Sequence, residues 1–348
     1  MNLFEIGGRK VGPSQPCFVI AEIGVNHNGD ETMAKKLIDA AKIAGADAVK
    51  FQTFLADKLV TKTASSAKYQ KDNTGISNQN DLLRPMELNE AAHKRLLQYC
   101  KEVGIIFLSS PFDTESVDLL SKLDVPAIKV PSPDCVSDSF LRHIGKTRKP
   151  VILSTGMCDL REVLHGAQIL QDAGAECIAL LHCTSCYPAP LDQVHLRAIS
   201  TMGTATGLQI GYSDHTEGNA VSIAAVALGA TIIEKHITLD KGLPGPDHRA
   251  SIEPHEFACM VRDIRAVEQA MGGTAKEPQE CEQSSRELAR RSIATRNALY
   301  PGQVISENDL ILLRPGTGIS PSLETSIIGR KIKRPVGAYT LLSLDDLE

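Results

Sequence analysis

The sequence predicts an α/β protein: a closed (β/α)8 TIM barrel followed by a small β-rich domain at its C-terminal end. Three observations favour this fold class. Apolar or β-branched runs of strand length alternate with helical patterns from residue 18 to residue 271. Several helical patterns end in the same Gly stop just before the next run, at 44–47, 173–176 and 228–231. After residue 271 the composition changes to short apolar runs separated by Gly and Pro turns.

The predicted barrel strands are all short. They cover residues 18–23, 48–52, 105–109, 127–130, 151–154, 178–182, 207–211 and 231–237. Helical patterns follow them, most clearly at 31–44, 89–103, 159–173 and 253–271. A closed barrel fits this alternation better than an open doubly wound sheet, and no GxGxxG follows the first strand to indicate a dinucleotide fold.

Domain boundaries follow from the same reading. We predict a catalytic barrel over 1–271, a polar, charged linker over 272–286 and the β-rich domain over 287–348. Within the last domain, Gly302 and Gly337 each precede a Ser-led acidic turn, which predicts pseudo-symmetry. A long polar connection at 55–88 is either a lid over the barrel mouth, with Tyr69 and Gln70 as substrate contacts, or a disordered segment.

Composition excludes several function classes. The chain has 348 residues, 42% hydrophobic and 23% charged, with a net charge of −5. This balance makes nucleic acid and anionic membrane poor partners. The N-terminal residues contain no signal-peptide pattern and no run long enough to span a bilayer, so we expect a cytoplasmic protein.

The nine cysteines are scattered, and in a reducing compartment we expect them to remain thiols. Cys183 and Cys186 form a C-x-x-C pair that suits a redox site or half of a zinc site. No second C-x-x-C follows at zinc-ribbon spacing, and no thioredoxin-like context surrounds the pair. We therefore interpret both as structural, with Cys183 as the buried end of a strand.

Polar side chains lie at the end of nearly every predicted strand, where barrel enzymes carry their chemistry. These residues are Glu22, Lys50, Gln52, Ser109, Ser110, Lys129, Ser132, Ser154, Thr155, His182, Ser185, Tyr187, Ser213, His215, Glu234 and His236. Some of them, Ser110 for example, are equally explained as helix caps or satisfied core polar groups. Caps and core polar groups do not readily explain a polar residue at every strand end, because an unpaired polar group in an apolar strand costs free energy.

Two kinds of site follow from these residues. His215 and His236 end neighbouring strands, which favours a shared metal ion, although each alone could simply cap or pack. Lys50 and Lys129, together with the serines, suggest an anion site for a phosphate. Snorkelling is the alternative for the lysines, and no Walker motif indicates a nucleoside triphosphate.

Taken together, the motifs resemble those of the bacterial sialic acid synthases across essentially the whole chain. The matching stretches are AEIGVNHNGD at 21–30, AVKFQTF at 48–54, ILSTGM at 152–157, LLHCTSCYP at 180–188, GYSDH at 211–215, EKHITLDK at 234–241, GPDH at 245–248 and RPGTGISP at 314–321. The resemblance implies a TIM barrel joined to an antifreeze-like (SAF) domain in a domain-swapped homodimer. It also implies condensation of phosphoenolpyruvate with N-acetylmannosamine to N-acetylneuraminate and phosphate. The implied cofactor is a divalent metal, typically Mn²⁺, with Mg²⁺ or Co²⁺ as alternatives.

The resemblance also assigns roles. His215 and His236 match metal ligands, Glu22 matches the acidic catalytic residue, and Lys129 is assigned to stabilising the leaving phosphate. The matches to phosphoenolpyruvate contacts are Lys50, Lys129, Ser132, Ser154 and Ser213, and the matches to sugar-site positions are Gln52, Tyr187, Asp247 and, from a partner subunit, Arg314. From their places at the predicted barrel mouth, we also predict substrate contacts at Ser110, Asp134, Ser185 and Glu234, with orientation of His236 or completion of the barrel as the alternatives for Glu234. Arg314 alone is equally well explained as solvated surface. Two departures concern substrate detail: Ser185 stands where many members have Asn, and PSPD at 131–134 replaces the usual GSGE.

Two rival functions remain at this point. A synthase for a related nonulosonate such as legionaminic acid, which uses a diacetamido-trideoxy sugar, shares the same catalytic motifs. A carbohydrate-binding or ice-binding protein is the non-enzymatic rival, suggested by the C-terminal domain. The polar barrel mouth argues against this second rival.

Overall fold

A computed structural model describes residues 4–348, and a short antiparallel hairpin opens it. Its strands are β1 (Phe4–Ile6) and β2 (Arg9–Val11). This hairpin was not predicted from the sequence. Gly7 and Gly8, which both have positive φ, were the available signal, because a Gly-Gly pair suits a two-residue hairpin turn. Ile6 and Val11 are fully buried and pack into the apolar interior of the barrel.

Within the described residues, eight parallel strands then close a barrel, with the last strand pairing with the first. They are β3 (Phe18–Gly24), β4 (Ala48–Thr53), β5 (Ile106–Pro111), β6 (Ile128–Val130), β7 (Val151–Ser154), β8 (Ile178–Cys183), β9 (Gln209–Asp214) and β10 (Ile232–His236). The predicted fold class is confirmed. The largest difference in strand bounds is at β9, which runs three residues beyond the predicted end and takes Ser213 and Asp214 into the strand.

Helices cover the outside of the barrel, and most of the long ones begin at a side-chain cap. They are α1 (Glu31–Ile43), α2 (Ala56–Leu59), α3 (Lys68–Thr74), α4 (Gln79–Leu83), α5 (Glu90–Val103), α6 (Thr114–Lys122), α7 (Asp138–Gly145), α8 (Leu160–Asp172), α9 (Ala198–Thr206), α10 (Ala220–Ala227) and α11 (Pro254–Met271). Asp30, Asn89, Asp113 and Asp159 each accept a backbone N–H of the first turn. Such caps satisfy donors that the helix itself leaves free, and they fix where each helix starts relative to the strand before it.

The long connection between β4 and α5 is ordered as α2, α3, α4 and a short 3-10 turn. The alternative of disorder is therefore wrong for this segment. Val25, Phe54, Leu82 and Met86 form a small buried cluster beneath it. Asn73 donates a hydrogen bond to the carbonyl of Pro246 at 2.7 Å, which ties α3 to the loop after β10.

The chain divides into two compact units, with the division at Gly272/Gly273. The second unit contains α12 (Gln283–Ala289), the antiparallel strands β11 (Ser292–Thr295) and β12 (Leu310–Leu313), and α13 (Glu324–Ile327). It has a core of its own, which includes Ile293, Leu299 and Ile332. Its other segments are joined by single bridges and 3-10 turns.

The two Ser-led acidic turns predicted after Gly302 and Gly337 are both present in the second unit and have matching hydrogen bonds. Ser306 and Ser343 each begin a 3-10 turn, and the backbone N–H of each donates to the aspartate three residues on, at 2.9 Å and 2.8 Å. The shared Ser-x-x-Asp spacing explains the repetition, because this spacing builds a reciprocal cap.

All nine cysteines lie within residues 4–348, and each is a free thiol there. None of the helices described combines the length and the apolar composition that crossing a bilayer requires.

Candidate functional site

A cavity of about 290 Å³ opens at the C-terminal ends of the barrel strands. Its wall includes most of the predicted site residues: Glu22, Lys50, Gln52, Ser110, Lys129, Ser132, Ser154, Ser185, Tyr187, Ser213, His215, Glu234, His236 and Asp247. Consecutive strands supply these side chains at the same level, because parallel strands end at one edge of the barrel. The structure thus brings together groups that are up to 225 residues apart in sequence.

The floor of the cavity carries two carboxylates and two ammonium groups in alternation. Lys50 Nζ lies 2.8 Å from Glu22 Oε2 and 3.7 Å from Glu234 Oε1. Lys129 Nζ lies 3.6 Å from the same Glu234 oxygen. All four side chains are at most 5% exposed, so each charge depends on its neighbours for stabilisation.

This environment shifts the pKa of each group. Burial raises the pKa of Glu22 to about 6, although Lys50 acts in the opposite direction. Burial acts to raise the pKa of Glu234, but the nearby Lys129 and Lys50 outweigh burial and lower it. Burial lowers the pKa of Lys129. A carboxyl that titrates near pH 6 is suited to proton transfer close to neutrality.

Hydroxyl groups surround the lysines and complete a candidate anion site. Lys50 donates to Ser110 Oγ at 3.0 Å, and Lys129 donates to Ser154 Oγ at 2.6 Å. The backbone N–H of Gly156 donates to Ser132 Oγ at 3.0 Å. A Cβ at Gly156 would collide with the hydroxyls of Ser132 and Ser185, so a larger residue here would force these hydroxyls to move.

His215 and His236 meet at the cavity wall, with ring centroids 5.5 Å apart and an interplanar angle of 61°. The His215 ring donates through Nδ1 to the carbonyl of Thr184 at 2.8 Å, which leaves its Nε2 lone pair available. Burial, with positive neighbours, holds the pKa of His236 well below its ordinary value, so this ring is neutral. Burial acts to lower the pKa of His215, but the neighbouring Cys183 outweighs it and raises the pKa.

This pair fits one divalent ion as two of its ligands. Two imidazoles that bind one ion place their centroids roughly 5 Å apart, given metal–nitrogen bonds of about 2 Å. Among residues 4–348, no group of three or more His, Cys, Asp or Glu side chains could hold a metal ion. An ion bound here would therefore complete its coordination with water or substrate. Asp247 Oδ2 lies 4.0 Å from His236 Nδ1. Burial raises the pKa of the Asp247 carboxyl to about 6.

Aromatic rings cover the histidines. The Tyr187 ring lies 4.2 Å from that of His215, and Tyr69 of α3 stacks on Tyr187 at 5.1 Å. Tyr69 and Gln70, predicted as lid contacts, both line the cavity, as does Gln79 of α4. The α3–α4 segment therefore forms part of the cavity wall, in the position predicted for a lid.

Of the residues that were assigned a catalytic, metal or substrate role, two do not line the cavity. Three strand-end residues without such a role, Ser109, Thr155 and His182, do not line it either. The Asp134 carboxylate instead accepts a hydrogen bond from Ser137 Oγ at 3.1 Å, within the turn after β6. Arg314 belongs to the second unit, where it lines a groove with Arg291, Arg296 and β12. The predicted role of Arg314 requires a second chain and stays a prediction.

Sequence reasoning missed the place of Cys183 in the site. It is the buried end of β8, as predicted, but its sulfur also lines the cavity, 3.7 Å from His215 Nδ1. Burial acts to raise the pKa of Cys183, but His215 outweighs burial and lowers it. The available signal was its position at a strand end, which the C-x-x-C motif obscured.

A larger groove of about 900 Å³ lies at the opposite, N-terminal edge of the barrel. Its charged residues pair among themselves: Arg9 with Asp47, and Arg265 with both Asp47 and Glu268. None of the residues predicted for the site lines this groove.

Comparison with known proteins agrees with this geometry. Residues 37–276 match the NeuB family, and residues 290–348 match the SAF domain. An N,N'-diacetyllegionaminic acid synthase of Legionella pneumophila is 46% identical, over 97% of this chain and 96% of its own. The human N-acetylneuraminate-9-phosphate synthase is 36% identical, over 93% of this chain and 91% of its own.

A solved structure of a related protein has a similar fold. An N-acetylneuraminic acid (sialic acid) synthetase from Leptospira borgpetersenii, determined in complex with citrate, superposes with a TM-score of 0.74. It is 32% identical and covers 82% of this chain and 95% of its own.

Proposed function

Because the chain belongs to the NeuB family and ends in a SAF domain, we propose that it condenses phosphoenolpyruvate with an N-acetylated amino sugar to give a nonulosonate and phosphate. The family makes it a phosphoenolpyruvate-using synthase of the transferase type, and the resemblance found in the motifs is confirmed. The observation that carries the proposal is the cavity in which two buried lysines and several serines face two histidines.

We propose a diacetamido-trideoxy sugar as the first substrate candidate. The Legionella N,N'-diacetyllegionaminic acid synthase shares 46% of its residues with this chain, against 36% for the human N-acetylneuraminate-9-phosphate synthase. N-acetylmannosamine, predicted from the motifs, is the second candidate. It is supported by the TM-score of 0.74 to the Leptospira sialic acid synthetase.

The residues suggest how the chemistry is divided. Lys50, Lys129 and the surrounding hydroxyls would hold the phosphate and meet the charge that develops as it leaves. C3 of phosphoenolpyruvate attacks the aldehyde carbon of the open-chain sugar, water adds at C2, and the C2–O bond to phosphate then breaks. Glu22 is our candidate for the proton transfers, because burial raises its pKa to about 6.

The histidines would act, through a bound metal ion, on the sugar aldehyde, which is the electrophile. When a divalent ion is held by His215 and His236, it supplies Lewis-acid polarisation of the sugar aldehyde oxygen. We propose Mn²⁺, with Mg²⁺ or Co²⁺ as alternatives, because the family resemblance implies such an ion. Oxygen ligands from water or substrate, which Mn²⁺ and Mg²⁺ prefer, would then complete the coordination. Asp247 and Gln52, at the same wall, are proposed to bind sugar hydroxyl or amide groups, and Tyr187 would pack against the ring.

A substrate assay tests this function. The purified chain is incubated with phosphoenolpyruvate, Mn²⁺ and each of the two sugars, while phosphate and 2-keto acid are followed. We expect phosphate release only when a sugar is present, with the higher kcat/KM for the diacetamido sugar. Phosphoenolpyruvate labelled with ¹⁸O at the bridging position should yield labelled phosphate. Release of phosphate at the same rate without any sugar would contradict a condensing synthase.

A further inference from the structure

A buried ion pair lies directly behind the two histidines. Lys235 Nζ is 2.8 Å from Asp214 Oδ2, and the two side chains are 1% and 0% exposed. Neither residue lines the cavity, and the chemistry proposed above uses neither. Removing two charges from solvent costs desolvation free energy, and a buried ion pair often does not recover this cost as stability. A role other than stabilising the fold is therefore worth testing.

Strand alternation relates this pair to the histidines. Ser213 and His215 line the cavity, whereas Asp214 between them faces the helix layer. On β10 the same alternation holds, with Glu234 and His236 in the cavity wall and Lys235 behind them. Each member of the ion pair is thus the residue immediately before a histidine.

The pairing register puts the ion pair at the end of the ladder between these strands. Lys235 is the Cα partner of Asp214, and this is the last pair before His215 and His236 leave the ladder. On its other side, His236 stays paired with Glu22 of β3. Between β9 and β10, the Lys235–Asp214 pair is therefore the last strand pairing that constrains the position of His215 relative to His236.

Further hydrogen bonds fix the chain on both sides of His215. The Asp214 carboxylate accepts from the backbone N–H and the hydroxyl of Thr216, both at 2.8 Å. Lys235 donates to the carbonyl of Thr216 at 2.7 Å. Ser222 of α10 donates to Asp214 Oδ2 at 2.6 Å, which connects the network to the neighbouring helix.

We propose that Asp214 and Lys235 are positioning residues that set the separation of His215 and His236, and through it the affinity for the divalent ion. The inference rests on the proposed function, since it assumes that these histidines bind the metal. It assigns a function to two residues whose side chains touch neither cavity nor substrate. Groups that hydrogen-bond to a metal ligand and orient it typically change metal affinity by about 10- to 100-fold when removed, and we expect the lower end of this range for a pair that acts through the backbone.

The test compares Mn²⁺ affinity with fold stability in the full chain. The double variant Asp214→Leu/Lys235→Met replaces the pair with apolar side chains, a change that buried ion pairs often tolerate. Free Mn²⁺ is measured by electron paramagnetic resonance in a titration without substrate, and unfolding is followed by calorimetry. We expect the Kd for Mn²⁺ to rise about 10-fold or more in a chain that still unfolds cooperatively.

Two further variants keep the test decisive if the double variant fails to fold. Ser222→Ala removes one hydrogen bond to Asp214 and should raise the Kd for Mn²⁺ by a few-fold. Arg265→Met removes a charge that pairs with Asp47 and Glu268 at the other end of the barrel. It serves as the matched control, and we expect it to lower the unfolding temperature while Mn²⁺ affinity stays unchanged.

The outcomes separate the two proposals. If the unsubstituted chain binds no Mn²⁺, the metal assignment is wrong and this inference fails with it. If that chain binds Mn²⁺ and folded Asp214→Leu/Lys235→Met and Ser222→Ala chains bind it equally well, only the positioning role is overturned. A loss of affinity in Arg265→Met equal to that in Ser222→Ala would also overturn it, because the effect would then be general destabilisation.

Discussion

At the residue scale, Lys129 joins the hydroxyl side of the cavity to its carboxylate side. Its ammonium donates to Ser154 Oγ at 2.6 Å and lies 3.6 Å from Glu234 Oε1. Burial lowers its pKa, which reflects the cost of keeping a charge in this place. Such a group has most to gain from a phosphate whose negative charge increases as the C2–O bond breaks.

Lys129→Met should therefore slow the reaction. We expect kcat to fall on the order of 10²-fold or more, because one preorganised charge is lost from the departing phosphate. Steady-state rates of phosphate release measure this. Lys94→Met, which removes a lysine that is 56% exposed on α5, is the matched control and should leave kcat unchanged. Unchanged kinetics in Lys129→Met would show that the phosphate lies elsewhere.

The site residues that could be predicted from the sequence are those with a charged or titratable group at the end of an apolar strand. Lys50, Glu234 and the histidines were recognisable because charged or titratable groups rarely end apolar strands without a use. Asp134 was predicted because it stands where the family motif GSGE has its Glu. Its carboxylate instead accepts a hydrogen bond from Ser137 within its own turn. The pair Asp214–Lys235 could not be read from the sequence, because the predicted strand stopped at residue 211, before Asp214, and the pairing depends on the register between β9 and β10.

At the element scale, the turn between β3 and α1 buries several polar groups. Asn26 donates to the carbonyl of Ile237 and to Ser251 Oγ, both at 2.8 Å. His27 is fully buried, and its Nδ1 accepts the backbone N–H of Gly29 at 3.0 Å. Protonation of Nδ1 would turn this acceptor into a donor and place a charge in the core. Burial accordingly lowers the pKa of His27 to about 4.

This shift predicts a pH dependence of stability. The unfolded chain binds the proton near pH 6.5 and the folded chain only near pH 4, so the unfolded state binds more protons between these values. The contribution of neutral His27 to stability is complete above pH 6.5. It is lost as pH falls towards 4, by up to about 1.4 kcal/mol per pH unit.

His27→Asn tests the prediction, because Asn retains an acceptor for the Gly29 N–H and does not titrate. We expect the free energy of unfolding to depend less steeply on pH between 4.5 and 6 in the variant, by up to one proton. Denaturant unfolding followed by circular dichroism gives both slopes. Above pH 7 the two slopes should coincide, which is the internal control. Identical slopes below pH 6 would exclude His27 as the titrating group.

The elements themselves were predictable to different degrees. The strand Val151–Ser154 is a short, continuously buried run that ends in Ser, and the helix Leu160–Asp172 has the helical apolar period and a side-chain cap at Asp159. Both signals are local in sequence. The helices α2, α3 and α4 are only four to seven residues long, too short for periodicity to reveal. Residues of α2 and α4 pack in the buried cluster around Phe54, whereas α3 is tied to the loop after β10 by the hydrogen bond from Asn73 to the Pro246 carbonyl. Tertiary contacts, and not local sequence, therefore determine the shape of the connection.

At the scale of the whole molecule, each unit has its own buried core. The barrel unit contains the cavity, the lysines and both histidines. The second unit carries Arg314 in a groove with Arg291 and Arg296. We proposed from the family resemblance that the chain forms a domain-swapped homodimer in which Arg314 serves the sugar site of a second copy. This arrangement makes a prediction that no single-chain mechanism shares.

Complementation between two inactive chains tests the exchange. Arg314→Ala keeps an intact barrel and should raise the KM for the sugar, whereas His236→Ala keeps an intact Arg314 and should lack metal-dependent turnover. If Arg314 acts on a second copy, co-expressed chains form mixed dimers with one complete site. Random pairing then restores roughly a quarter of the unsubstituted activity at low sugar concentration. If Arg314 acts within its own chain, no mixed dimer has a complete site, and the activity stays at the level of the separate variants. Separately purified chains, assayed together without exchange, are the control, and size-exclusion chromatography with light scattering verifies the dimer.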